Sequence, residues 1–180
     1  MKMWKKLTVL IIAGFLALPL AVNAQGFKLK DRDFTIGGSG TTDKKLDNST
    51  ASVEAAMGYF IRDNVELTVR QGLAFSDLEG KSNWNGSTRA AADYYFKMPA
   101  QSRLNLLNPY AGINFGYRYG DTTDEMYIAG IECGVKYFVN STTFISGNLE
   151  YQFLFEGLSE IDDVFDEGGF LYAVGVGFKF

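Results

Sequence analysis

The last eleven residues, Phe170-Leu-Tyr-Ala-Val-Gly-Val-Gly-Phe-Lys-Phe180, repeat with a period of two. Phe170, Tyr172, Val174, Val176, Phe178 and Phe180 are large and apolar, and they alternate with smaller residues and Lys179. Successive side chains of a strand point to opposite faces, so this segment is one strand with a greasy face. It stops on an aromatic residue. Such a strand belongs in a sheet whose outward surface does not meet water.

The other end is of a different kind. Met1-Lys-Met-Trp-Lys-Lys6 is cationic, Leu7 to about Leu20 is apolar, and Val22-Asn23-Ala24 supplies small residues where a signal peptidase reads. This predicts a secretory signal peptide over 1–24, cut after Ala24. An anchoring helix fits less well, because the apolar run falls short of the roughly 20 residues needed to span a bilayer. No Cys follows the small residues, so a lipoprotein signal is not expected. Residues 25–180 then form one domain.

No later apolar run approaches spanning length, so any membrane crossing must use strands. Eight stretches alternate with period two: 33–40, 52–60, 65–76, 88–98, 108–119, 126–139, 143–155 and 169–180. Ile61–Asn64 and Asn140–Thr142 are tight turns and Pro99–Leu107 a longer one. Thr41–Ala51, Asp77–Ser87, Gly120–Glu125 and Glu156–Gly168 are mostly longer, polar and acidic. Short turns on one side, longer loops on the other and an even strand count predict an all-β, eight-stranded, antiparallel up-and-down transmembrane barrel.

Parity assigns the faces. The apolar set includes Val65, Leu67, Val69, Leu73 and Phe75, then Tyr94, Phe96 and Met98, then Ile113, Phe115, Tyr117 and Tyr119. It continues with Ile131, Cys133, Leu149, Tyr151, Phe153 and the terminal strand. The opposite set holds Glu54, Glu66, Arg70, Arg89, Asp93, Lys97, Asn114, Arg118, Glu132, Lys136, Asn148, Glu150, Gln152 and Lys179. About thirty bulky apolar side chains are too many for an eight-stranded interior, so the charged set is expected inside. Gln71 breaks the rule on the apolar face. Phe60, Phe138, Phe144, Leu154 and Leu171 break it on the polar face, where a bulge or an interface position would explain several of them.

Ala56-Met-Gly-Tyr-Phe-Ile-Arg-Asp-Asn-Val-Glu-Leu67 resembles the strand–turn–strand signature of the OmpA/OmpX-like outer-membrane β-barrel superfamily. Trp84–Arg89, Asn108–Gly112, Gly134–Phe138 and terminal Phe180 are similar to its barrel-only members. The resemblance implies location in the outer membrane of a Gram-negative bacterium. It makes Tyr172, Val174, Val176, Phe178 and Phe180 the C-terminal insertion signal read by the barrel-assembly machinery. The peptidoglycan-binding domain of OmpA itself has no counterpart here, so wall tethering is not carried over.

Inside such a barrel each charge needs a counter-charge. Glu54, Glu66, Arg70, Arg89, Asp93, Arg118, Glu132, Lys136 and Glu150 are therefore expected to form a lumen network, with Arg70, Asp93, Glu132, Glu150 and Asn148 clustered near mid-depth. A salt-bridged plug is one use of such a network, a gate passing small ions another, and a catalytic Glu132–Glu150 pair a third. His is absent, which removes the base that outer-membrane hydrolases of similar architecture use. Ser39, Ser52, Ser76 and Ser146 have no evident activator. Cys133 is the sole cysteine and is expected to face outward as a small hydrophobe.

The acidic loop Glu156–Glu167 has oxygen donors for a divalent cation, but its spacing fits no EF-hand, and a solvated loop is expected, with no metal or cofactor. Trp84 suits either a contact residue or an interfacial anchor. A net charge of -4 gives no reason to expect nucleic acid. The expected protein is a monomeric, non-enzymatic, structural or surface-interaction barrel contacting outer-membrane lipid and lipopolysaccharide. A narrow channel, an adhesin acting through its loops and a soluble lipocalin-like binder are the rival readings.

Overall fold

The computed structural model describes residues 26–42, 48–78, 81–98, 106–121, 126–155 and 169–180. Eight antiparallel strands close into one barrel in sequence order. They are β1 (Arg32–Thr42), β2 (Asn48–Arg62), β3 (Val65–Leu78), β4 (Lys81–Tyr95), β5 (Leu107–Gly120), β6 (Met126–Phe138), β7 (Thr143–Phe155) and β8 (Gly169–Lys179). Closure leaves no strand without neighbours on both sides. The signal segment and the loop Glu156–Gly168 lie outside the described residues.

All eight expected strands are present, with three corrections to their ends. β4 begins at Lys81, so most of Asp77–Ser87 is ladder rather than loop, Leu78 pairing with Lys81 at its tip. Thr41–Ala51 shortens in the same way, since β1 runs to Thr42 and β2 starts at Asn48. At the other end β4 stops at Tyr95, and Lys97, expected inside, is exposed beyond the strand.

The sidedness is as expected from parity. Val69, Ile113, Phe115, Ile131, Leu149, Phe170, Tyr172 and Val174 are exposed, while Glu66, Arg70, Arg89, Asp93, Glu132, Lys136 and Glu150 are buried. Cys133 faces outward. Gln71 is outward too, and its polar groups are satisfied there: its side-chain amide donates to the Tyr119 hydroxyl (2.9 Å), and its oxygen accepts from Thr88 (2.8 Å). Trp84 sits on β4 opposite Phe75, edge-on to Tyr119, which makes it part of an outward aromatic ring near the loop ends.

The aromatic exceptions have a different explanation from the one parity invited. A register shift does occur between Phe60 and Arg62, yet Phe60, Phe138 and Phe144 are not at an interface. They are fully buried and form an aromatic floor with Phe27, Tyr95 and Tyr110 across the turn end of the barrel. Phe27 comes from the segment before β1 and stacks on Phe60, ring centroids 4.2 Å apart and 9° from parallel. That segment is held by Leu29 N–H donating to Asp63 (2.9 Å) and Lys30 N–H to the Phe60 carbonyl (2.8 Å). Leu171 remains partly exposed.

Candidate functional site

The barrel interior is the candidate site, and it is built in tiers above the aromatic floor. The first tier centres on Lys136 of β6. Its ammonium donates to Asp33 (2.5 Å) and to both oxygens of Glu66 (3.0 and 3.1 Å). The rings of Phe27, Phe144, Tyr95 and Phe60 lie 5.1 to 6.0 Å from the same nitrogen. A desolvated ammonium gains from the negative faces of such rings as well as from carboxylates. The Tyr95 hydroxyl donates to Glu66 (2.5 Å), which ties floor to tier. Gly58 makes the tier possible, because a Cβ there would collide with the carboxylates of Glu66 and Asp33.

Arg70 holds the second tier. Its two terminal nitrogens donate to the two oxygens of Glu132 (2.7 and 2.5 Å), and Nη2 also reaches Asp93 (3.3 Å). Asn114 donates to Glu132 from β5 (2.8 Å). The fork of a guanidinium matches the two oxygens of a carboxylate, which is why Arg rather than Lys serves in such a pair. Gly112 again leaves the room, since a Cβ there would strike Asp93.

In the third tier Arg89 donates to both oxygens of Glu150 (2.8 and 2.7 Å) and pairs with Glu54. Gln152 donates to Glu150 (3.0 Å) and accepts from Arg118 (3.4 Å). Arg118 makes no salt bridge among the described residues. Above this tier the interior widens into a cavity of about 260 Å³, lined among others by Glu54, Arg89, Arg118 and Glu150. A smaller cavity of about 70 Å³ lies lower, beside Glu66, Arg70, Asp93 and Lys136.

The expected network therefore splits. Arg70, Asp93 and Glu132 meet, but Glu150 belongs to Arg89, and Asn148 lines both cavities instead of joining the cluster. Glu132 and Glu150 are register partners across β6 and β7, yet each is clamped by its own arginine. A carboxylate held this way is not free to trade protons with its neighbour. Parity reasoning missed Asp33, Tyr95, Tyr110 and Phe27. Tyr95 and Tyr110 were legible as inward positions; Asp33 is obscured by the glycines of β1, and Phe27 lies outside any strand and gave no periodic signal. Among the described residues no group of three or more His, Cys, Asp or Glu suits a metal ion, and the acidic loop 156–167 lies outside them.

No protein-family model and no curated protein sequence matches the chain. Solved structures do. The N-terminal β-barrel domain of Pseudomonas aeruginosa OprF is similar at a TM-score of 0.57 and 21% identity, over 85% of this chain and 98% of that one. Pseudomonas aeruginosa OprG is similar at 0.54 and 17%, over 88% and 99%. Neisserial surface protein A is similar at 0.55 and 15%, over 87% and 97%. The fold of this chain is that of the eight-stranded outer-membrane β-barrels.

Proposed function

We propose that this chain is a non-enzymatic integral protein of the bacterial outer membrane, with a closed lumen and a structural or surface-interaction role. The observation that carries the reading is the pairing of an apolar outer surface with an interior of ion pairs. Only a barrel surrounded by hydrocarbon puts isoleucine and phenylalanine outside and arginine–carboxylate pairs inside. The fold likeness to outer-membrane barrels supports it. Residues 1–24 act as the export signal, and Tyr172, Val174, Val176, Phe178 and Phe180 act as the insertion signal for the assembly machinery.

Closure rests on the floor and the three tiers lying in series along the barrel axis. The ends of β2, β3 and β4 carry the ladder furthest toward the loop side, up to Asn48, Leu78 and Lys81. That raised rim is the part we assign to contact with lipopolysaccharide or another surface. Cell fractionation with electrophoresis before and after boiling tests the placement. The protein is expected in the outer-membrane fraction and to migrate anomalously until boiled; recovery as a soluble protein would contradict the reading. In planar bilayers no conductance above the bare membrane is expected. Discrete openings altered in Arg70→Ala would establish the channel reading instead.

A further inference from the structure

The interior is charged unevenly from one end to the other. Around the upper cavity Arg89 and Arg118 stand against Glu54 and Glu150, two charges of each sign. The two lower tiers hold Lys136 and Arg70 against Asp33, Glu66, Asp93 and Glu132, two cations against four carboxylates. Counting Lys179 together with its partner Asp31 (3.4 Å) leaves that difference unchanged. Among the described residues the lower half of the lumen therefore carries a surplus of two negative charges when every group is ionised. The four carboxylates are at most 5% exposed. Bulk water does not screen them, and buried charge of one sign calls for a partner.

The 70 Å³ cavity lies where the surplus is, bordered by Asp33, Glu66 and Lys136 of the first tier and by Arg70 and Asp93 of the second. Three of its lining residues carry a buried oxygen with no hydrogen-bond partner: Asp93 Oδ1, Thr68 Oγ1 and Asn148 Oδ1. Asp93 and Thr68 are only 3% and 7% exposed. They stand on neighbouring strands, β4 and β3, while Asn148 comes from β7, opposite β3 in the ring of eight. One water takes roughly 10–15 Å³ of such space, so there is room for an ion and a few waters. A proton shared between carboxylates needs no cavity and leaves Thr68 and Asn148 unanswered. Water alone answers the oxygens but not the charge.

We propose that this cavity binds a partly hydrated monovalent cation of the sodium class between the first and second tiers. Asp93 Oδ1, Thr68 Oγ1 and Asn148 Oδ1 are its protein ligands, and water completes the shell. One carboxylate and two neutral oxygens suit a hard ion of single charge. Ca²⁺ takes about six to eight oxygens, and Mg²⁺ dehydrates reluctantly. The lining has no thiol or imidazole to favour a transition metal. The ion offsets half of the surplus and ties β3, β4 and β7 together inside the plug. The site depends on the sealed interior and not on any role at the surface.

The test is urea unfolding of the protein in zwitterionic lipid vesicles, with folding checked beforehand by heat-modifiability. Sodium chloride is exchanged for choline chloride at constant ionic strength. Choline matches sodium in screening, but oxygen ligands cannot reach its methylated nitrogen. Above the dissociation constant, each tenfold rise in sodium is expected to lower the unfolding constant about tenfold, as one bound ion requires. Asp93→Asn is expected to abolish this dependence, and the milder Thr68→Val to move it to higher sodium. Equal stability in sodium and choline overturns the proposal. A stability that then follows pH assigns the surplus to shared protons, and one that follows neither assigns the free oxygens to water. A sodium dependence that survives both substitutions overturns it as well, because the ion then binds elsewhere.

Discussion

Arg70 illustrates what a single residue does in this interior. Removing it leaves Glu132 and Asp93 buried with no cation in the tier, whereas in the intact tier it bonds both oxygens of Glu132 and Oδ2 of Asp93. Breaking a buried pair from one side costs about 3–5 kcal/mol, while replacing both partners with apolar residues of similar size is often close to neutral. Arg70→Ala is therefore expected to lower the unfolding free energy in lipid vesicles by that amount. Arg70→Leu with Glu132→Leu is expected to recover most of it, as read from denaturant titrations of both variants. Phe60 is the apolar counterpart: buried under Phe27 and Tyr95, it is expected to cost about 3–5 kcal/mol when truncated to Ala. Residue identities predicted the tiers but not the floor. Parity placed Phe60, Phe138 and Phe144 inside while hydrophobicity argued for outside. The clue that decides is position: each stands within a few residues of the turns Asp63–Asn64 and Val139–Thr142, where a stack of rings closes the barrel end.

At the scale of the strand, alternation is readable only where a strand has two different environments. The stretches across the apolar belt have a greasy face and a polar face, and these were legible to within a few residues. Lys81–Ser87 was not, because Asn83, Asn85 and Ser87 fill one face and Trp84 stands alone between Ser82 and Gly86 on the other. One large outward residue, Trp84 opposite Phe75, is too little to show a period of two, so the pairing of this part of β4 with β3 leaves no periodic signature. β1 hid Asp33 for a related reason: its glycines dilute the pattern. Element geometry yields a direct prediction. Leu149 and Ile131 face outward at mid-strand, and Arg at either is expected to cost about 2–4 kcal/mol if the belt is at the bilayer midplane. Arg in place of exposed Ser141, in the turn between β6 and β7, is expected to stay within about 0.5 kcal/mol. Gly58→Val tests the inward side of β2. With no room beside Glu66 and Asp33, it is expected to fold with reduced yield in the same vesicles.

For the whole molecule the governing fact is inversion. A water-soluble barrel of this size would enclose its phenylalanines and display its glutamates; here Phe115 and Ile131 are outside, and Glu132 and Glu150 are within. The tiers and the aromatic floor both depend on that inversion. Spin labels placed one at a time along β5, from Ala111 to Tyr119 in a Cys133→Ser background, report it most directly through their accessibility to oxygen dissolved in bilayer hydrocarbon. Maxima at Ile113, Phe115 and Tyr117 with minima at Gly112, Asn114 and Gly116 are predicted. Maxima at the even positions, or uniform access to a water-soluble relaxation agent, would contradict the account.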